Sequence, residues 1–164
     1  MNRDWTIFGL KDQIAIVTGA SQGIGRTLAI ALAQAGADIA LVSRTRSDLE
    51  AVAKEIEAAG RKALVIPADI QEVSQIRKLV DAVHTTFGRI DILINNAAWT
   101  ATVEALEATE EEWDQTIDSS LKSVFFLCQA WRLSNCGSIS KGPRGTKSSF
   151  QLKGPWSILP DFQF

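Results

Sequence analysis

The chain has 164 residues, 46% hydrophobic and 22% charged, an ordinary globular composition with enough length for one core rather than two. A formal net charge of only −2 gives no reason to expect nucleic acid or an anionic membrane as a partner, so a small-molecule ligand is favoured. No apolar run approaches the roughly 20 residues of a membrane span, and Met1 to Leu10 lack a signal-peptide pattern; the expected location is the cytoplasm.

In chain order, Gln13 to Val17 is a short, β-branched apolar run of the kind covered on both faces in a parallel sheet. Strong helix formers follow from Ile24 to Ala35, with Leu28, Leu32 and Ala35 on one face and Gly36 as the stop. Asp38 to Val42 returns as a second strand. Ser47 and Glu50 have the spacing of a capping box, and Leu49, Val52 and Ile56 give the next helix a buried stripe before Gly60. Ala63 to Ile66 is a third strand. Val73, Ile76, Val80, Val83 and Phe87 recur at helical steps up to Gly88, and Ile90 to Ile94 is strand four. A second capping box, Thr109 to Glu112, opens a longer helix carrying Trp113, Ile117, Leu121, Val124 and Phe125 to about Ala130. Strands alternating with helices through short connections predict an α/β, Rossmann-type parallel sheet with helices on both faces, incomplete at four βα units.

The turn between the first strand and first helix reads T-G-A-S-Q-G-I-G, with Gly19, Gly23 and Gly25 as its glycines. Gly19 permits a tight turn, Gly23 lets backbone approach a pyrophosphate, and Gly25 lets helix and strand pack closely. Free amides at the helix start attract anions, while Ser21, Gln22 and Ile24 complete the loop. A glycine cluster alone is also compatible with a plain flexible turn, but here the required strand and helix flank it. At the end of strand two, where a carboxylate normally holds the ribose 2′-hydroxyl of NAD, the chain has Ser43-Arg44-Thr45-Arg46. A hydroxyl and a guanidinium can hydrogen-bond to a 2′-phosphate that a carboxylate would repel, so Ser43 and Arg44 favour NADP over NAD.

The T-G-x-x-x-G-x-G spacing, with Ala68-Asp69-Ile70 after strand three and Asn95-Asn96-Ala97-Ala98 after strand four, resembles the short-chain dehydrogenase/reductase family. Phe8-Gly9-Leu10-Lys11 and the following strand are similar to bacterial gluconate 5-dehydrogenases and 3-oxoacyl-carrier-protein reductases. The resemblance implies that Asp69 and Ile70 flank the adenine, that Asn95 lies beside the adenine ribose, and that Asn96 and Ala97 support sheet and cofactor. It further implies hydride transfer between nicotinamide and a carbonyl or secondary-alcohol carbon, with a tyrosine assisted by a lysine moving the proton. The family's N-N-A-G is N-N-A-A in this chain.

Tyrosine is absent from the 164 residues, so the Y-x-x-x-K pair is absent as well. Ser120-Leu121-Lys122-Ser123 aligns with the family's N-L-K-[SG], which puts Ser120 where the resemblance expects a catalytic asparagine. A serine there is expected to bond its own backbone and to have no catalytic role. Gly137-Ser138-Ile139-Ser140 begins like the strand that carries the family's serine, but Lys141-Gly142-Pro143 breaks it. Lys122 or a water would be the alternative proton donor, with nothing in the sequence to place such a group near a nicotinamide. His84 reads as a solvated or half-buried helix residue, and Cys128 and Cys136 fit no metal spacing.

Composition shifts at the same point. Residues 131–164 hold five Lys/Arg against one Asp, and three of the four prolines, without helical or alternating period. They read as an irregular basic tail, leaving 1–130 as the NAD(P)-binding part of the fold. Lys141, Arg144, Lys147 and Lys153 alternate with Phe150 and Trp156, yet the charges are too few for a nucleic-acid arm. The expectation is an NADP-dependent oxidoreductase by descent, in a truncated and catalytically inactive form; the alternative is a non-catalytic nucleotide-binding or interaction module. Without further strands, the edge along Asp91 to Ile94 and the 109–130 helix, with Phe125, Phe126 and Leu127, form an expected self-association surface.

Overall fold

The structure, a computed structural model, describes residues 9–135. The chain runs β1 (Ile14–Thr18), α1 (Gly23–Gln34), β2 (Asp38–Ser43), α2 (Arg46–Ala58), β3 (Ala63–Pro67), α3 (Val73–Phe87), β4 (Ile92–Ile94) and α4 (Glu110–Ile117). A π turn at Asp118–Lys122 joins α4 to α5 (Ser123–Asn135). All pairings are parallel and the strand order is β3-β2-β1-β4. The chain therefore steps outward twice from β1 and then crosses back to its other side, the reversal that opens a crevice at strand carboxyl ends in such sheets.

Strand alternation divides the core into two layers. Ile14 and Ile16 of β1, with Ala40 and Val42 of β2, face α3 through Ile76, Leu79, Val80 and Val83 and α5 through Leu127. Ala15, Val17, Ile39 and Leu41 face the opposite way, onto Ala29 and Ala33 of α1 and Leu49, Val52 and Ile56 of α2. The expected parallel α/β sheet with helices on both faces is the fold observed. Among the described residues β4 is an edge strand, and it is shorter than the expected Ile90 to Ile94. Ile90 is nevertheless buried, and Asp91 continues the pairing: its N–H donates to the Ile14 carbonyl (2.9 Å) and its carboxylate accepts from the Ile14 N–H (2.8 Å).

Several local expectations are corrected. The core face of α1 is Gly25, Ala29 and Ala33, one position round from the expected stripe, and Leu28 is exposed. Small residues on that face let the helix lie close to the sheet, where leucines would hold it off. The Ser47–Glu50 capping box does not form, because α2 starts earlier, at Arg46 with Thr45 as N-cap, and Ser47 Oγ bonds Asp48. The Thr109–Glu112 box does form, with reciprocal bonds of 3.3 Å and 2.9 Å.

The largest departure is in the final helix, expected to be continuous with one buried stripe. Trp113, Leu121 and Phe125 are exposed, whereas Leu127 is fully buried and Phe126 packs on the core. The π turn supplies the reason: an extra residue in one turn rotates everything after it by about 100° relative to an unbroken helix. Spacing that is regular across the sequence is thereby split over two faces. Of the expected Phe125-Phe126-Leu127 surface only Phe125 remains outside. Helix α5 continues to Asn135, beyond the expected end near Ala130, and is tied down by Trp131 Nε1 (3.0 Å) and Asn135 Nδ2 (2.6 Å), both donating to the Ile90 carbonyl. Cys136, the Gly137–Ser140 segment and nearly all of the expected tail lie outside the described residues.

Candidate functional site

A cleft of about 490 Å³ crosses the carboxyl ends of all four strands. Its walls come from Gly19 to Ile24 after β1, Val42 to Thr45 after β2, Ala68 to Gln71 after β3 and Asn96 to Trp99 after β4. Asp48 of α2 and Ser119 of the π turn complete it. Of the residues singled out from sequence, Gly19, Ser21, Gln22, Gly23, Ile24, Ser43, Arg44, Asp69, Ile70, Asn96 and Ala97 line this one space. Gly25 lies buried beneath it, and Asn95 is exposed outside the lining, its amide donating to Cys128 Sγ at 3.6 Å.

The glycines divide their work as the sterics predict. A Cβ at Gly25 would collide with the Gly19 carbonyl oxygen, and one at Gly19 would come within 2.8 Å of Asn96 Nδ2 and 3.0 Å of Ala97 Cα. Gly23 has nothing within 4 Å of such a Cβ, and its φ of +56° is the left-handed conformation that favours glycine. Two positions are therefore fixed by the protein's own packing. The third leaves bare backbone at the start of α1, in the wall of the open cleft.

Thr18, to which sequence reasoning gave no role, is the joint between the carboxyl ends of β1 and β4. Its fully buried hydroxyl accepts from the N–H groups of Asn96 (3.0 Å) and Ala97 (3.1 Å) and donates to the Ile94 carbonyl (3.2 Å). Asn96 returns the contact, its side-chain amide donating to the carbonyls of Thr18 (3.0 Å) and Gly19 (3.4 Å). Asn96 thus holds the glycine turn, its side-chain nitrogen directed at backbone.

At the β2–β3 end, Ser43 Oγ donates to the Thr45 carbonyl (3.5 Å), and Arg44 is exposed with no carboxylate partner among the described residues. Among the described residues it is the only cation in the lining, against the carboxylates of Asp48 and Asp69. Asp69 is occupied locally, accepting from the Gln71 N–H (3.0 Å) while its own N–H donates to Gln75 Oε1 (2.9 Å). Sequence reasoning missed Asp48, Gln71, Trp99 and Ser119. Asp48 and Gln71 reach the cleft through the trajectories of short connections, which residue type does not specify. Lys122 pairs with Asp118 (3.0 Å) on the exposed side of the π turn and does not line the cleft. His84 is exposed on α3.

Residues 13–135 match the short chain dehydrogenase family. The chain belongs to that family. It is 39% identical over 123 residues to 2-dehydro-3-deoxy-D-gluconate 5-dehydrogenase of Escherichia coli K12, covering 75% of this chain and 48% of that protein. It is 38% identical over 116 residues to the 3-oxoacyl-[acyl-carrier-protein] reductase FabG of Staphylococcus epidermidis RP62A, covering 70% of this chain and 48% of that protein. The chain thus spans about half the length of the curated relatives it matches.

Solved structures agree. A metagenomic short-chain oxidoreductase in complex with NADP superposes with a TM-score of 0.74 at 35% identity, over 77% of this chain and 57% of that one. A Burkholderia cenocepacia short chain dehydrogenase, also in complex with NADP, gives 0.73 at 36%, over 76% and 51%. The short-chain dehydrogenases are a family of oxidoreductases that bind nicotinamide cofactors. The cradle fits such a group: bare backbone at Gly23, with nothing within 4 Å of where a Cβ would stand, and a helix start behind it. Among the described residues no helix is long and apolar enough to cross a membrane, and no cluster of three His, Cys, Asp or Glu could hold a metal.

Proposed function

We propose that this chain is the NADP-binding part of a short-chain oxidoreductase and that, in its 164-residue form, it binds NADP(H) without reducing a carbonyl substrate. The observation that carries the reading is Gly23, left-handed and unobstructed in the wall of a cleft that opens at the start of α1. A pyrophosphate would lie against that backbone and accept from the free amides there. Ser21, Gln22 and Ile24 would border it, with Gly19 and Gly25 keeping the turn tight. Asp69 and Ile70 would flank the adenine, Asn95 would stand beside the adenine ribose, and Asn96 and Ala97 would support the cofactor from behind.

Preference for NADP rests on Ser43 and Arg44. Arg44 has no carboxylate to satisfy it among the described residues, and a planar guanidinium suits a 2′-phosphate. Asp48 opposes this from the first turn of α2, but the same helix start presents free amides that attract an anion.

When bound, the nicotinamide supplies or accepts the hydride. The chain's residues bind and orient the dinucleotide, but these 164 residues contain no tyrosine to move the accompanying proton. Ser120 does not replace a catalytic asparagine in this reading, since its hydroxyl is engaged with the Trp99 carbonyl (3.3 Å). That partner is 21 residues away, rather than in the serine's own helix as the sequence suggested. In this reading the family part of the chain extends to Asn135, which both α5 and the family match reach. Cytoplasmic location and self-association through the 109–130 helix belong to the same proposal. Exposed Trp113, Leu121 and Phe125 support the association surface.

A thermal-shift titration of the full chain tests binding. NADPH at one hundred times its Kd should stabilise by about 2.7 kcal/mol, NADH should do less, and Arg44→Asp should reverse the order. No protection at millimolar NADPH overturns the reading. Steady consumption of NADPH with a ketone, lost in no-protein controls, overturns the inactive form while leaving the binding intact.

A further inference from the structure

Two opposite charges stand in the same wall of the cleft without neutralising one another. Arg44 follows β2, Asp48 lies in the first turn of α2, and both line the space. Neither has an ion-pair partner among the described residues. Their neighbour Arg46 does pair, with Glu50 (3.5 Å), and neither of those two lines the cleft. The other carboxylate of the lining is tied down by backbone, since Asp69 Oδ1 accepts from the Gln71 N–H (3.0 Å). Asp48 Oδ1 accepts instead from the exposed hydroxyl of the adjacent Ser47 (3.2 Å).

A guanidinium and a carboxylate select opposite groups on a ribose. A 2′-phosphate accepts from Arg44 and is repelled by Asp48, whereas a 2′-hydroxyl donates to a carboxylate and gains little from a guanidinium. Ser43 suits both, because its hydroxyl, 3.5 Å from the Thr45 carbonyl, can donate to a phosphate or accept from a hydroxyl. The carboxylate missing from the end of β2 is thus supplied from α2, five residues after Ser43. Asp48 is the third residue of that helix, and Thr45 makes no side-chain cap, so the carboxylate shares the wall with free amides. In sequence an acid in a first helical turn reads as a partner of the helix dipole. The lining adds that this one also borders the ligand space.

We infer that Asp48 is a specificity-determining residue, which holds down the preference for NADP and lets the same wall take NAD. The inference rests on the NADP-binding reading and deepens it to a site that serves both cofactors unequally. Arg44 answers the phosphate of one and Asp48 the hydroxyl of the other. Both side chains are exposed, so water and salt screen them and the selectivity each confers is modest. Removing the charge of Asp48 leaves Arg44 and the α2 amides to act on a phosphate unopposed.

The test compares NADPH and NADH on the full chain, titrated by thermal shift at matched folded fractions. Both should protect the wild type, NADPH more; protection by NADPH alone overturns the shared site. Asp48→Asn keeps the shape and removes the charge. It should tighten NADPH on the order of fivefold and weaken NADH on the order of threefold, raising the ratio of affinities on the order of tenfold. A residue that only supports the start of α2 would move both cofactors together, and that result overturns the inference while the NADP-binding reading stands. Glu50→Gln removes a charge from the same helix outside the lining and should leave the ratio within about twofold. A rise there as large as in Asp48→Asn overturns the assignment to Asp48. Should Asp48→Asn not fold, Asp48→Ser, which keeps a small polar residue in the first turn, is read in the same way. If neither cofactor protects the wild type, the NADP-binding reading fails and this inference with it.

Discussion

At the β1 end of the cleft the wall is shaped within eight residues, Thr18 to Gly25, by what three glycines lack. At the β4 end it is shaped by what two serines possess, hydroxyls that reach a peptide 20 and 21 residues away. One wall is local and negative, a set of omitted side chains that lets backbone approach backbone and ligand. The other is long-range and positive, a hydrogen-bond network that holds a helix out of its regular path. The difference separates what a mutation can do: adding an atom damages the first wall, and removing one damages the second. Thr18 belongs to both, since it ends β1 and its hydroxyl captures the loop after β4.

Thr18→Val should therefore produce the largest effect. The substitution is nearly isosteric, but it leaves the Asn96 and Ala97 amides without their acceptor in a buried site. At about 1–3 kcal/mol for each unsatisfied group, a loss of several kcal/mol is expected in chemical denaturation of the full chain. A loss below about 1 kcal/mol would mean that the two strand ends are joined by something other than this hydroxyl. Gly25→Ala should come next, because its Cβ meets a backbone carbonyl that cannot rotate aside. About 1–3 kcal/mol of overpacking is expected, and NADPH protection should fall with it.

The local wall was legible in the sequence because each glycine answers to a steric demand that a strand-to-helix turn always makes. Gly19, Gly23 and Gly25 follow from the sequence alone, as do Ser43 and Arg44 from the carboxylate missing at the end of β2. The long-range wall was not legible. Trp113, Ile117, Leu121 and Phe125 keep helical spacing across the break, so periodicity reported one helix where there are two joined by a π turn. Nothing in Ser119-Ser120 as letters says that both hydroxyls face Trp99; that depends on where β4 delivers the loop. Leu28 failed for a related reason, since periodicity finds an apolar stripe but not the neighbouring stripe of Gly25, Ala29 and Ala33 that close packing selects. The order of β4 beside β1 was likewise outside what pattern alone provides, although the alternation of strands and helices gave the parallel sheet.

Gly23 gives a sharper test of the local wall because space and conformation disagree there. A Cβ would meet nothing within 4 Å, yet φ is +56°. Gly23→Ala should cost about 1–2 kcal/mol from the left-handed backbone alone, less than Gly25→Ala, while its methyl group intrudes where the pyrophosphate is proposed to lie. The expected signature is a larger loss in NADPH affinity than in stability, read by comparing titrations at matched folded fractions. Equal losses would place the phosphate elsewhere.

The smallest expected effect lies at the start of α4, before the π turn, where a purely local device sits on the long-range wall. Thr109 Oγ accepts from the Glu112 N–H (3.3 Å), and the Glu112 carboxylate accepts from the Thr109 N–H (2.9 Å) and hydroxyl (2.9 Å). Those bonds, the backbone one first, hold the Glu112 carboxyl below its ordinary value. A group whose pKa is lowered by folding contributes stability above its unfolded range and loses it as pH falls through the lowered, folded value. Thr109→Ala should cost about 1 kcal/mol at neutral pH, and the difference from wild type should shrink in acid as Glu112 protonates in both. Because α4 buries no side chain, that loss should stay in the helix and leave the Trp99 amide as protected as before. A Trp99 amide that opens when Thr109 is replaced would show instead that the π turn draws on the capping box for its geometry, and the two walls would then differ less than their hydrogen bonds imply.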